Sequence, residues 1–116
     1  MLKTEEIISQ FENACKSQGK FSKTLPERIM YVDPQRIISI NDNFEYDEIL
    51  NDNKMKALEE SVNKNGWTNQ NPQTFCLMML PNGDLLVNGG GNHRAVLSKK
   101  LQIPEVKASV CIVEYY

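Results

Sequence analysis

The one histidine of the chain, His93, stands beside Arg94, directly after the run Gly89-Gly90-Gly91-Asn92. Glycine admits positive φ without strain and lets backbone amides come close to a ligand. Between a strand and a helix, such a turn aims free N–H groups and the positive end of the helix dipole at one point, which is the chemistry of an anion site. Arg94 adds a forked set of donors, and His93 adds a donor or a titratable nitrogen. A tight strand-to-helix turn with Arg94 in a surface salt bridge and His93 packed in place accounts for the same residues. The run matches neither GxGxxG nor GxxxxGK[ST], so it gives no support to a Rossmann or P-loop reading.

The elements that must position this turn follow from the hydrophobic pattern. Ile7, Ile8, Phe11, Ala14 and Cys15 recur at helical spacing over residues 4–17, with Glu5 and Glu6 in the first turn and Gly19 as a stop. Residues 20–27 are polar, contain Pro26 and read as a connector. Two short apolar runs, 29–32 and 37–40, read as extended segments separated by the turn at Asp33-Pro34. Residues 41–53 form an acidic, asparagine-rich loop. A helix is expected over 54–64, with Met55, Leu58 and Val62 on its apolar stripe and Gly66 at its end.

The apolar stretch 74–80 reads as a central strand. Pro81-Asn82-Gly83-Asp84 turns it into a hairpin with Leu85-Leu86-Val87. The glycine run then opens a helix over 92–101. Residues 106–112 alternate apolar with polar, the pattern of a strand buried on one face.

Composition narrows the function classes. At 116 residues the chain has room for one core. It carries 13 basic and 15 acidic side chains, a formal charge of −2, which disfavours a general nucleic-acid binder. The charge is uneven: seven carboxylates against two lysines over 42–60 give −5, whereas five basic against three acidic residues from Ser61 onward give +2, on the side of the glycine run. Cys15, Cys76 and Cys111 are odd in number and lack a CxxC pair, so neither a disulfide framework nor a cysteine zinc site is expected. No stretch reaches the ~20 apolar residues of a membrane span, and Lys3, Glu5 and Glu6 interrupt any signal-peptide core, so a cytoplasmic location without membrane contact is expected. Trp67, after the helix stop, suits a plug at the edge of the core, with base stacking as the alternative use.

From Met30 to Tyr115 the order of these elements resembles the ParB/sulfiredoxin family. The resemblance rests on "VDPQRI", the helix "MKALEESVNKNGW", a proline-led strand, "VNGGGNHRAVLSKKL" and "IPEVKASV". It implies an α/β (α+β) fold, a small mixed sheet flanked by helices, here over residues 28–116, with an added N-terminal helix and connector over 1–27. It also implies nucleotide binding, of ATP as in sulfiredoxins or CTP as in ParB proteins. By that resemblance Gly89, Gly90, Gly91, Asn92, His93 and Arg94 form the phosphate box, and Lys54 and Ser61 contact the nucleotide from the preceding helix. Ala57 replaces a further hydroxyl.

Departures from the family shape the expectation further. Sulfiredoxin chemistry needs a cysteine where this chain has Asn92, so a sulfiredoxin-type reductase is not expected. Phosphotransferase relatives carry a carboxylate where Asn88 stands. Glu48, Glu59 or Glu60 remain available to Mg²⁺, which takes only one or two protein carboxylates and otherwise phosphate and water oxygens, although a solvated helix face is the favoured reading of Glu59 and Glu60. ParB partition proteins extend into a helix-turn-helix domain and a dimerisation domain, for which 116 residues leave no room, so a complete partition protein is not expected.

The expected function is therefore nucleotide phosphate binding, with Arg94 and His93 as the catalytic pair for NTP hydrolysis or phosphoryl transfer if turnover follows. The alternative is a non-catalytic interaction module, of accessory, antitoxin or immunity type, that holds a protein partner through the N-terminal helix or the acidic segment. ParB-like DNA binding or nicking is a third reading, disfavoured by charge.

Overall fold

The computed structural model describes Met1–Tyr116. Helix α1 spans Thr4–Ser17 and ends before Gly19, as its spacing predicts. It is preceded by a two-residue strand, β1 (Leu2–Lys3), which has no signal in the sequence because only its pairing with a neighbour defines it. The connector after α1 contains a further strand, β2 (Ser22–Thr24), where an irregular segment was expected. Strand β3 (Arg28–Val32), a 3-10 turn at Pro34–Arg36 capped by the Asp33 carboxylate, and β4 (Ile37–Ile40) follow the two apolar runs.

The acidic segment is not a simple loop. It holds a short helix, α2 (Tyr46–Asn51), with Asp47 and Glu48 in its first turn, where carboxylates suit the helix dipole. Six residues with only Ile49 buried give no readable period, so packing rather than pattern reveals this helix. Asp52 then ends α2 and caps α3 (Asn53–Asn65), which stops at Gly66 with φ of +79°. A 3-10 turn at Pro72–Thr74 leads into β5 (Cys76–Met79), β6 (Leu85–Val87), α4 (Asn92–Lys100) and β7 (Val106–Tyr115).

The strands form one mixed seven-stranded sheet in the order β1-β4-β6-β5-β7-β2, with β3 also paired to β7. Strands β2 and β3 follow one another along the same partner: Ser22 to Thr24 face Tyr115 to Val113, and Arg28 to Val32 face Val110 to Val106. Residues 1–27 thus contribute two strands to the sheet besides their helix.

Alternation along the strands builds two cores. Leu85 and Val87 point into a cluster with Ile37, Ile40, Ile49, Met55, Phe75 and Val96, which lies under α2, α3 and α4. Leu86 points the other way, to Leu80 and Val113, covered by Ile7, Ile8 and Phe11 of α1. Helix α1 therefore uses its apolar stripe on the sheet. One exposure expectation fails: Ser109, read as lying on the open face of the last strand, is 2% exposed. The reason is that Ser109 shares its sheet face with Val113 of the second core and is flanked there by its register partners Cys76 of β5 and Ile29 of β3.

The start of α1 is tied down by a buried side chain. The Thr4 hydroxyl lies 2.6 Å from the Val87 carbonyl, to which it donates, and 2.7 Å from Ser39 Oγ. Thr4→Val keeps the shape, removes the donor and leaves the Ser39 hydroxyl and Val87 carbonyl without it. Urea unfolding of that variant is expected to show a loss of about 1–3 kcal/mol with an unchanged m-value.

Candidate functional site

The glycine turn takes its shape from packing against the chain just before β5. Gly91 has φ of +99°, and a Cβ there would lie 2.6 Å from the Phe75 ring. A Cβ on Gly90 would lie 2.7 Å from the Thr74 carbonyl oxygen, and the Gly90 carbonyl accepts from the Cys76 amide at 3.0 Å. These two glycines are required by close approach to the protein's own chain, a reason that the sequence does not show. Gly89 accepts from the side-chain amides of Asn41 and Asn92 and lines a separate polar recess with Thr4, Asn41 and Asp42.

The turn delivers α4 with an uncapped N-terminus. Gly91 occupies the cap position and offers no side chain, and the amides of Asn92, His93 and Arg94 have no acceptor in the protein. Asn92, almost fully buried, is structural: its Oδ1 accepts from the Asn41 amide at 2.9 Å and so ties the end of β4 to the turn.

A cleft of about 410 Å³ opens at this helix end, lined by Lys54, Ala57 and Leu58 of α3 and by Gly91, Asn92, His93 and Arg94. A second recess of about 220 Å³ shares Leu58 and Arg94 with it and includes Ser61 and Trp67. Of the residues singled out in the sequence, Lys54, Gly91, Asn92, His93 and Arg94 are brought together. Ser61 lies in the adjoining recess, and Gly89 and Gly90 lie outside both. Trp67 packs against the main core while lining that recess.

Arg94 does not form the surface salt bridge that its type suggested. Its guanidinium donates to the Asn71 carbonyl at 3.2 Å and to the Thr74 hydroxyl, and it lies 5.2 Å over the Phe75 ring. The ion pairs of the protein, Lys3–Glu45, Lys23–Glu114, Arg36–Asp84 and Lys100–Glu59, and the Asp52–His93 contact include neither Arg94 nor Lys54. Partial burial pulls the Arg94 guanidinium below its ordinary range. The cleft thus holds a half-buried cation whose partners are all neutral.

His93 is engaged elsewhere. Its Nε2 lies 2.7 Å from Asp52 Oδ2, while Asp52 Oδ1 accepts from the Met55 amide at 2.7 Å and caps α3. The Phe44 ring meets the imidazole edge-on at 5.9 Å. Asp52 is the site residue that the sequence does not single out: it falls within the acidic 41–53 segment, and no spacing rule links it to a histidine 41 positions away. Through it the first turns of α3 and α4 are joined across one end of the cleft.

The metal expectation has little behind it. Glu59 pairs with Lys100 at 3.0 Å, Glu48 and Glu60 are exposed helix residues outside the cleft, and both Asp52 oxygens are bonded. No trio of His, Cys, Asp or Glu side chains converges anywhere in the chain. These residues do not fit a Mg²⁺ ion held by the protein itself.

Fold and cleft together define a mixed α/β domain that presents an uncapped helix end and an unpaired guanidinium to one opening. No protein-family model matches the chain, and no curated protein matches it. Among solved structures it is similar in fold to a Pnob8-like ParB-N domain, at 21% identity and a TM-score of 0.45, over 79% of this chain and 30% of that one. No helix is long and apolar enough to cross a membrane.

Hydrogen bonding by His93 and by the Met55 amide holds the Asp52 carboxyl below its ordinary pKa of 3.8. The stabilisation is complete above the unfolded value and disappears as pH falls through the lower folded one. Asparagine caps helices as well as aspartate, so Asp52→Asn keeps the cap and removes the charge beside His93. The wild type is expected to be the more stable at pH 7, with its advantage over Asp52→Asn shrinking as pH falls below the ordinary carboxyl value of 3.8. Urea midpoints at each pH measure this, and an advantage independent of pH would contradict it.

Proposed function

We propose that this protein binds a nucleotide through its phosphates in the cleft between α3 and α4. The observation that carries the reading is Arg94: a half-buried guanidinium held only by neutral acceptors, next to three helix amides without acceptors. A partly desolvated cation without a counter-ion carries a cost, and a phosphate relieves it while accepting from the amides. Lys54, exposed on the opposite wall and free of any ion pair, adds a third positive element.

The nucleotide class, ATP or CTP, comes from the sequence resemblance to ParB and sulfiredoxin proteins. Two geometric features agree with a ligand larger than phosphate. The cleft continues into the recess at Ser61 and Trp67, and its wall at Ala57 and Leu58 is apolar. In this reading Arg94 and the α4 amides take phosphate oxygens, and Lys54 neutralises charge from α3. His93 contributes its backbone amide and, through Asp52, the spacing of the two helices. Hydrolysis or phosphoryl transfer is the further activity, in which Arg94 stabilises charge on the transferred group.

Thermal unfolding with millimolar ATP, CTP or GTP, with and without Mg²⁺, tests the binding. A ligand at 100 times its Kd stabilises by about 2.7 kcal/mol, enough to raise Tm by several degrees. Arg94→Ala is expected to weaken binding by about tenfold or more and Lys54→Ala by less. If no nucleotide moves Tm, or if binding survives Arg94→Ala unchanged, the reading fails. Inorganic phosphate release in the same samples reports turnover.

A further inference from the structure

The sheet end opposite the glycine turn carries a different surface. Cys76 marks the turn end of β5, and β7 runs parallel to β5, passes Met79 at Ile112 and continues to Tyr115. At that far end three aromatic residues stand out from the protein: Phe21 is 68% exposed, Tyr115 46% and Tyr116 73%. They are organised in pairs. Phe21 and Tyr116 have ring centroids 6.2 Å apart, Tyr115 lies 6.0 Å from Phe11 of α1, and the Tyr116 amide donates to the Phe21 carbonyl.

Lysines accompany the rings. The ammonium of Lys20 lies 4.8 Å over the Tyr115 ring and that of Lys23 lies 5.7 Å over the Tyr116 ring. Residues 15–24 contain Lys16, Lys20 and Lys23 and no carboxylate, and Glu114 is the acidic residue that pairs locally, with Lys23 at 3.5 Å. Residues 15–24 thus carry three positive charges in a chain of net charge −2, and two of them, on Lys20 and Lys23, lie over the rings.

Exposed ring faces and lysines that reach across them suit one ligand chemistry above others. Bases of a single strand stack on aromatic faces regardless of sequence, while lysines meet the phosphates between them. A duplex hides its base faces. An apolar protein partner or a bilayer would be met by exposed aliphatic side chains as well, and the exposed large aliphatic residues, Leu2 and Ile29, lie elsewhere on the sheet. We infer that this end of the sheet, with Phe21 and Tyr116 beside Lys23 on one face and Tyr115 beside Lys20 on the other, is a stacking site for single-stranded nucleic acid, independent of the α3–α4 cleft. This differs from general duplex binding, which the net charge disfavours, because the stacking faces and two lysines serve only a few nucleotides.

The test is fluorescence polarisation of labelled 15-nucleotide oligo-dT and oligo-rU with the full chain at about 50 and 200 mM salt. Saturable binding that weakens with salt is expected. Phe21→Ala/Tyr116→Ala should reduce affinity by about tenfold or more, and Lys20→Gln/Lys23→Gln should flatten the salt dependence. Both pairs lie on the surface, and circular dichroism confirms that the variants fold. Arg94→Ala should leave oligonucleotide binding unchanged, which separates this surface from the nucleotide cleft. No polarisation change at about 100 µM protein in low salt, equal affinity of the aromatic variant, or binding lost with Arg94→Ala would overturn the inference. So would co-sedimentation with vesicles of phosphatidylserine and phosphatidylcholine in the absence of oligonucleotide binding.

Discussion

The contact between the glycine turn and the chain entering β5 governs the arrangement of the cleft. Gly91 lies so close to the Phe75 ring that no side chain fits, and its φ of +99° belongs to glycine. Gly90 is equally close to the Thr74 carbonyl, and its own carbonyl accepts from Cys76. Because the turn is pressed against this segment, α4 leaves it at one angle, and Arg94 reaches the carbonyls and ring of the same segment rather than solvent. A single close approach therefore fixes the helix end and its cation together.

The opposite wall is joined to that helix by one residue. Asp52 ends α2, caps α3 with one oxygen and bonds His93 with the other. Its placement makes the cleft width a property of two helices linked through a side-chain pair, not of loop conformation. His93, conspicuous in the sequence as the lone histidine, accordingly serves geometry through its ring while its backbone amide faces the opening.

Electrostatics divides the molecule along its length. At the turn end, an acidic stretch over 42–60 sits beside a cleft whose own cations, Lys54 and Arg94, have no ion pairs. At the far end, lysines lie over exposed aromatic rings. The two ends are separated by the sheet, whose core is closed on one face by α1 and on the other by α2, α3 and α4. A net charge near neutrality conceals both features.

Periodicity and punctuation in the sequence determined most of the elements. The apolar spacing of residues 4–17 and 55–62, the turns at Asp33-Pro34 and Asn82-Gly83, and the glycine run before α4 are local signals, and the elements form where they indicate. The local chemistry of the site, three glycines followed by Asn92, His93 and Arg94, was equally legible. Pairing and distance were not. Strands β1 and β2 exist only because β4 and β7 lie alongside them, and α2 is too short to show a period. The burial of Ser109, the Asp52–His93 bond and the neutral surroundings of Arg94 each join residues far apart in the chain. Local sequence sets φ, ψ and amphipathic faces. Which side chain meets which across the sheet and the cleft is decided by packing of the whole chain.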